Sequence, residues 1–270
     1  MARSFKQVDV FTTRPYYGNP VAVVLDADGI STEDMQRFAR WTNLSETTFL
    51  LAPTEGGDYR VRIFTPNQEL PFAGHPTLGT CHAWLEAGGK PTGEYVLQEC
   101  GAGLVRVRGG ERLAFAAPPL IRSGPVEEAD VQHAADVLRI AREAIVDAQW
   151  ADNGPGWMAV LLESAEAVLA LEPGFVDFDL GVVGPGGQED WELRAFFPLN
   201  GATVEDPVTG SLNASVAGWL LETGRATAPY TAAQGTALGR AGRIHVSTEA
   251  DGTLWVGGGT VTCISGEVAL

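Results

Sequence analysis

The sequence predicts an α+β protein of two pseudo-symmetric halves, each a mostly antiparallel, barrel-like β-sheet wrapped around one buried central helix. Three observations predict it. The chain matches itself at a period of about half its length, two nearly charge-free helical segments fall at corresponding places in the repeat, and short strand-like runs surround each of them. Composition agrees: 45% of the 270 residues are hydrophobic and 19% charged, and the 33 glycines imply many tight turns.

The repeat is read from three matches in the same order. Arg62-Ile-Phe-Thr-Pro66 recurs as Arg194-Ala-Phe-Phe-Pro198, an offset of 132. The segment from Gly74 to Gly88 lines up with Gly210 to Gly224 at 136, and Ala22-Val-Val-Leu-Asp26 with Ala159-Val-Leu-Leu-Glu163 at 137. The expected halves are 1–117 and 118–258, with 259–270 as a final strand that joins the second half or crosses back to the first. Residues 116–125, with three prolines and a glycine, are expected to be the linker.

Val8–Phe11 begins strand-like, followed by strands over Val21–Leu25, Thr47–Leu51, Tyr59–Phe64 and Leu104–Val107. Ser31–Thr42 is an amphipathic helix with Ser31 as its cap and Glu33 and Asp34 in its first turn. Residues 76–87 and 211–222 carry almost no charge on any face, so both helices must be buried all round. Gly79 and Gly218 are expected to let strands approach them, and Gly88 and Gly224 to end them. The second half opens on a helix from Val126 to about Ile140. It continues through strands at Met158–Leu162, Trp191–Phe196, Arg243–Val246 and Leu254–Val256, with a turn at Asp251-Gly252.

The formal charge of −16 excludes nucleic acid as a partner, since phosphate binding needs a basic patch. A small anion would have to be held by local dipoles. Cys81, Cys100 and Cys263 are odd in number and have no metal-ligand spacing, so neither a disulfide framework nor a metal site is expected. No apolar run is long enough for a membrane span, and the N-terminal residues carry no apolar leader; a cytoplasmic setting is expected. Gly101-Ala-Gly103 and the Gly74–Gly79 spacing fail as nucleotide-binding motifs.

The starts of the two buried helices carry the polar chemistry. The first reads Gly74-His75-Pro-Thr and the second Glu205-Asp206-Pro-Val-Thr-Gly210-Ser211. A helix N-terminus offers unpaired N–H groups and a partial positive charge, and a pseudo-two-fold arrangement would aim both at the cleft between the halves. Taken singly, Glu46 reads as a strand-edge carboxylate, His75 as a helix-start histidine, and Asp206 and Ser211 as caps. Duplicated helix starts with different polar groups have no structural need to differ. His82, His133 and His245 read as structural or surface groups, and Arg62 and Arg194 as partners of surface carboxylates.

Asn43-Leu-Ser-Glu46-Thr-Thr-Phe, Gly74-His75-Pro-Thr, Glu205-Asp206-Pro-Val-Thr-Gly-Ser211, Gly18-Asn-Pro-Val-Ala-Val-Val and Gly257-Gly-Gly-Thr-Val together resemble the PhzF-like family, along essentially the whole chain. That family has the diaminopimelate epimerase-like fold. The resemblance implies a cofactor-independent isomerase, usually a homodimer, that moves a proton between carbons of a small carboxylated substrate. By the same resemblance Glu46 is the catalytic acid/base, and His75 and Asp206 orient substrate and assist proton transfer. Gly74, Gly210 and Ser211 bind substrate oxygens. Epimerases and racemases of this fold place a cysteine at each helix start; His75 and Ser211 stand there instead, which disfavours two-thiol chemistry. An epimerase acting on an amino-acid-like substrate and a non-catalytic small-carboxylate binder are the competing readings.

Overall fold

A computed structural model describes residues 2–270, which form two compact units. One comprises the residues up to Ala116 together with Gly257–Leu270, and the other is Ala117–Val256.

The first unit contains β1 (Ala2–Val10), β2 (Asn19–Val24), α1 (Thr32–Thr42), β3 (Glu46–Leu51), β4 (Tyr59–Phe64), β5 (Glu69–Leu70), α2 (Gly74–Glu86), β6 (Val96–Cys100), β7 (Gly103–Arg108) and β8 (Leu113–Ala116). Strand β1 pairs antiparallel with β2, β2 runs parallel to β3, and β3 pairs antiparallel with β4. Ser31 caps α1 by accepting from the Asp34 N–H at 3.1 Å, and Asn43 ends it in the left-handed region. Met35 and Ala39, one turn apart, bury that helix against Phe49 and Phe64.

The second unit contains β9 (Arg122–Pro125), α3 (Glu128–Leu138), β10 (Ile145–Asp152), β11 (Met158–Leu162), a one-turn α4 (Ala165–Leu169), β12 (Leu180–Pro185), β13 (Trp191–Leu199), β14 (Ala202–Asp206), α5 (Gly210–Glu222), β15 (Tyr230–Gln234), β16 (Gly242–Thr248) and the first three residues of β17 (Leu254–Gly258), whose last two belong to the first unit. The pairing scheme repeats: β11 runs parallel to β12, and β12 pairs antiparallel with β13. Val131, Ala134 and Leu138 of α3 pack on Ile145, Val160 and Val182. The final strand, β18 (Thr260–Ala269), pairs antiparallel with β1 from Ala2↔Ala269 to Val10↔Thr260 and so belongs to the first unit.

The proline-rich 116–125 segment is not wholly a linker. Its last four residues form β9, which pairs with β10, because Pro125 at an edge has no ladder hydrogen bond to lose.

The repeat keeps one ion pair in both units. Arg62 grips Glu69 through two bonds of 2.7 and 2.6 Å, and Arg194 grips Glu205 through bonds of 3.0 and 2.7 Å. Each guanidinium also lies over the ring two residues on, Phe64 and Phe196. The second pair is buried, not superficial: Arg194 is 6% exposed and donates further to the Val168 and Leu171 carbonyls. A guanidinium so buried persists only with all its N–H groups engaged.

Helix α2 is buried from Gly74 to Cys81, and α5 from Leu212 to Ala217 and again at Trp219 and Leu220. Gly88 and Gly224, at φ of 95° and 68°, end them, as the missing Cβ permits. The internal glycines differ. A Cβ on Gly79 would lie 2.3 Å from Val21 Cγ1, so the absence of a side chain lets β2 approach α2. A Cβ on Gly218 would meet nothing within 4 Å, so no strand approach explains that glycine. Among the described residues no helix is long and apolar enough to cross a membrane.

These two glycines make a matched test. Gly79→Ala should destabilise by about 1–3 kcal/mol through overpacking, whereas Gly218→Ala should stabilise by up to about 1 kcal/mol through helix propensity. Urea unfolding of both variants checks this; equal shifts would refute the packing account of Gly79.

Candidate functional site

In the first unit three of the quoted motifs meet. Glu46 is the first residue of β3, opposite Val21 of β2 in the parallel register, and Asn19 begins β2. His75 is the second residue of α2. Its Nε2 lies 3.2 Å from Glu46 Oε2, and its Nδ1 lies 3.4 Å from Asn19 Nδ2. The Glu46 side chain is 15% exposed, while Asn19 and His75 are buried. The structure thus brings Glu46, His75 and Gly74 together. Asn19 joins them; it lay within the Gly18-Asn-Pro motif, but nothing in the sequence gave it a task.

Burial lowers the His75 pKa to about 3, partly opposed by a hydrogen bond to the Pro20 carbonyl. The ring is therefore neutral near pH 7, with one N–H and one lone pair, and can donate on one side while accepting on the other. A carboxyl group in direct contact with such a ring, still reachable from solvent, has what a proton-transferring pair needs.

The first turn of α2 is left open. Its cap position is Ala73, which has no polar side chain, and Pro76 has no N–H to satisfy. The N–H groups of Gly74 and His75 precede the first intrahelical bond, Thr77 N–H to Ala73 O at 3.2 Å.

The second unit holds Asp206, Gly210 and Ser211. Asp206 ends β14, and Thr209 Oγ1 donates to its Oδ2 at 2.5 Å. Ser211, the counterpart of His75, accepts from Trp157 Nε1 at 3.0 Å through its hydroxyl and from Asn153 Nδ2 at 3.0 Å through its carbonyl. Gly210 is buried at the first position of α5.

One pair of residues was missed by sequence reasoning. Gln98 and Gln234, both fully buried, are separated by the same 136 residues as the two helices, so extending the Gly74–Gly210 alignment would have found them. Each ties its helix start to a neighbouring strand. Gln98 Nε2 donates to Thr77 Oγ1 at 2.9 Å, and Gln234 Oε1 accepts from Asn213 Nδ2 at 2.8 Å, Thr77 and Asn213 being counterparts.

The remaining candidates are accounted for otherwise. His82 lies against Thr260, Thr262 and Glu86, His133 pairs with Asp177, and His245 with Thr231. Burial pushes the Cys81 thiol up to about 12, so it is not a thiolate at neutral pH. Among the described residues no group of three or more His, Cys, Asp or Glu converges as a metal site would require.

The low His75 pKa has a consequence for stability. Its folded value lies below the ordinary 6.5, so the unfolded chain takes up a proton first as pH falls. Stability is complete above pH 6.5 and is lost as pH drops toward 3, with a slope of up to about 1.4 kcal/mol per pH unit. Paired carboxylates such as Glu99, held at about 2 by backbone N–H groups, act only below their ordinary 4.5. His75→Gln should therefore flatten the loss of stability between pH 6.5 and 4.5. Identical pH slopes in denaturant titrations of both proteins would contradict a buried neutral imidazole.

Comparison with known proteins identifies the family. A family model described as phenazine biosynthesis-like protein matches residues 8–266. Antisense-enhancing sequence 1 of Schizosaccharomyces pombe is 38% identical over 98% of both chains. Trans-2,3-dihydro-3-hydroxyanthranilate isomerase of Pseudomonas aeruginosa is 37% identical over 91% of this chain and 90% of that protein. A solved PhzF-family structure from Enterococcus faecalis superposes over the whole of both chains with a TM-score of 0.81 at 26% identity. A probable proline racemase of Agrobacterium radiobacter shares the fold, with a TM-score of 0.61 at 14% identity over 99% of this chain and 93% of its own. The chain belongs to the PhzC/PhzF, or phenazine biosynthesis-like, family and is an isomerase with the diaminopimelate epimerase-like α+β fold.

Proposed function

We propose that the reaction is a cofactor-independent transfer of a proton between carbons of a small carboxylated substrate, with Glu46 as the group that takes and returns it. The observation that carries this reading is the 3.2 Å contact between Glu46 and a buried, neutral His75 at the open start of α2. Moving a proton between carbons needs one acid/base group and a means of steadying the negative charge that develops. Glu46 supplies the first. His75 and Asp206 orient the substrate and assist the transfer, and Gly74, Gly210 and Ser211 hold its oxygens through N–H and hydroxyl groups. No metal or cofactor is called on.

The relatives named as trans-2,3-dihydro-3-hydroxyanthranilate isomerases make that acid the first substrate to offer. The family resemblance also carries a homodimer in the cytoplasm. A sedimentation mass of 28.6 kDa, that of one chain, would count against the dimer.

In D₂O the enzyme should place deuterium on a carbon of the isomerised product. Glu46→Gln should lower turnover by about 10²–10⁴-fold while leaving binding, measured by calorimetry, nearly unchanged. Full activity in that variant would remove Glu46 from the mechanism. Loss of optical rotation from a chiral amino acid would favour an epimerase instead. Binding with no exchange of any carbon-bound proton, across a panel of related acids, would favour a carboxylate-binding protein.

A further inference from the structure

Thr209 stands where a threonine ordinarily caps a helix by accepting an N–H from the first turn. It does not cap α5; its hydroxyl donates to Asp206. The direction of each proton in this cluster follows from one group that has no choice. The Thr209 backbone N–H can only donate, and it meets Gln234 Oε1 at 2.9 Å. That fixes which atom of the Gln234 amide is oxygen. Gln234 Nε2 is therefore the atom 2.9 Å from Thr209 Oγ1 and 3.2 Å from the Asp206 carbonyl, and an amide nitrogen only donates. With its oxygen accepting from Gln234, the hydroxyl's single proton goes to Asp206 Oδ2, at a separation of 2.5 Å typical of a charge-assisted bond.

We infer that Thr209 is a positioning residue for Asp206. Oriented by Gln234, its hydroxyl pins Oδ2 and so fixes how the Asp206 carboxylate is turned. This inference rests on the reading of Asp206 given above.

The repeat separates this role from simple construction of the turn. In the first unit Gln98 ties the start of α2 to β6 in the corresponding way, through Thr77, with Tyr59 donating to its oxygen at 3.0 Å. There the counterpart of Thr209 is Ala73 and that of Asp206 is Leu70, each 136 residues earlier. The glutamine tie therefore forms there without a counterpart of the Thr209 hydroxyl or the Asp206 carboxylate. The hydroxyl is an addition confined to the unit that has the aspartate. It is placed in a dry setting, since Thr209 is 7% exposed and Gln234 and Asn213 are more buried still.

The test uses the full chain with Thr209→Val, Thr209→Ala, Thr209→Ser, Asp206→Asn and Asp206→Asn/Thr209→Val. The alanine variant guards against a valine that fails to fold, because Ala73 shows that the corresponding turn accepts alanine. With trans-2,3-dihydro-3-hydroxyanthranilate, the valine and alanine changes should lower kcat by about 10–100-fold with little change in KM, and serine should restore most of it. In the Asp206→Asn background the valine change should add less than about twofold, since its effect runs through the carboxylate. Full kcat in Thr209→Val, or an undiminished penalty in that background, would overturn the inference. If the wild-type protein does not turn this acid over, or Asp206→Asn is fully active, the functional reading is what fails. Proton NMR then decides the positioning role alone. A protected Thr209 hydroxyl resonance, kept in the serine variant and moved upfield in Asp206→Asn, supports it, and no such resonance in wild type overturns it.

Discussion

The first unit depends on one close approach, that of β2 to α2 across Gly79. Any side chain there would drive into Val21, so the helix and strand meet backbone to side chain. Gly79 and His75 are four residues apart and share a helix face; Val21 and Asn19 are two apart and share a strand face. The contacts Gly79–Val21 and His75–Asn19 are thus successive rungs of one seam. The parallel register then sets Glu46 opposite Val21. A packing detail at the fourth residue after His75 therefore fixes how the imidazole meets the carboxyl group. A helix held a side chain's width farther away would lose the 3.2 Å contact.

What the two copies share and what they do not separates construction from chemistry. Both keep an arginine–glutamate pair on matched strands, a buried glutamine tying the helix start to a strand, and a glycine in the left-handed region at the helix end. Such features hold a central helix inside its sheet, and each would be needed in either unit. The polar groups proposed for the chemistry follow no such symmetry. One unit has Glu46 and His75 but leucine at position 70; the other has Asp206 and Ser211, while the strand matching β3 begins Leu180-Gly181.

Much of this was legible in the sequence because it rests on local rules. Tyr59–Phe64 and Met158–Leu162 alternate or run apolar between turn signals and form strands with those limits, and Ser31 followed by Glu33 and Asp34 marks the start of α1. The near-absence of charge along 76–87 and 211–222, one glutamate at the end of each, pointed to the burial of both helices. Strands such as β6, β12 and β15 were not legible, being short and identified only by their partners. Gln98, Gln234 and Asn19 were missed for a related reason. A buried amide has no local pattern, and its worth appears only when the group it bonds is in place. Gly218 shows the converse, since helix position alone does not reveal what a missing Cβ faces.

The same geometry gives a sharper meaning to a charge of −16. An acidic chain that takes up a carboxylate needs donors that are not neutralised by its own side chains. At the start of α2 the cap position is alanine and the third residue is proline, so the cap side chain does not compete for the Gly74 and His75 N–H groups. At the start of α5 a threonine occupies the cap position but spends its one proton on Asp206 and accepts from Gln234. Each helix thereby forgoes a stabilising cap of about 1 kcal/mol. Two helices that omit the same local stabilisation, by different substitutions at matched positions, leave their first-turn N–H groups without a side-chain bond from the cap residue. An oxyanion can be met there by backbone dipoles without an arginine, whose positive charge would depress the pKa of any acid/base carboxyl beside it.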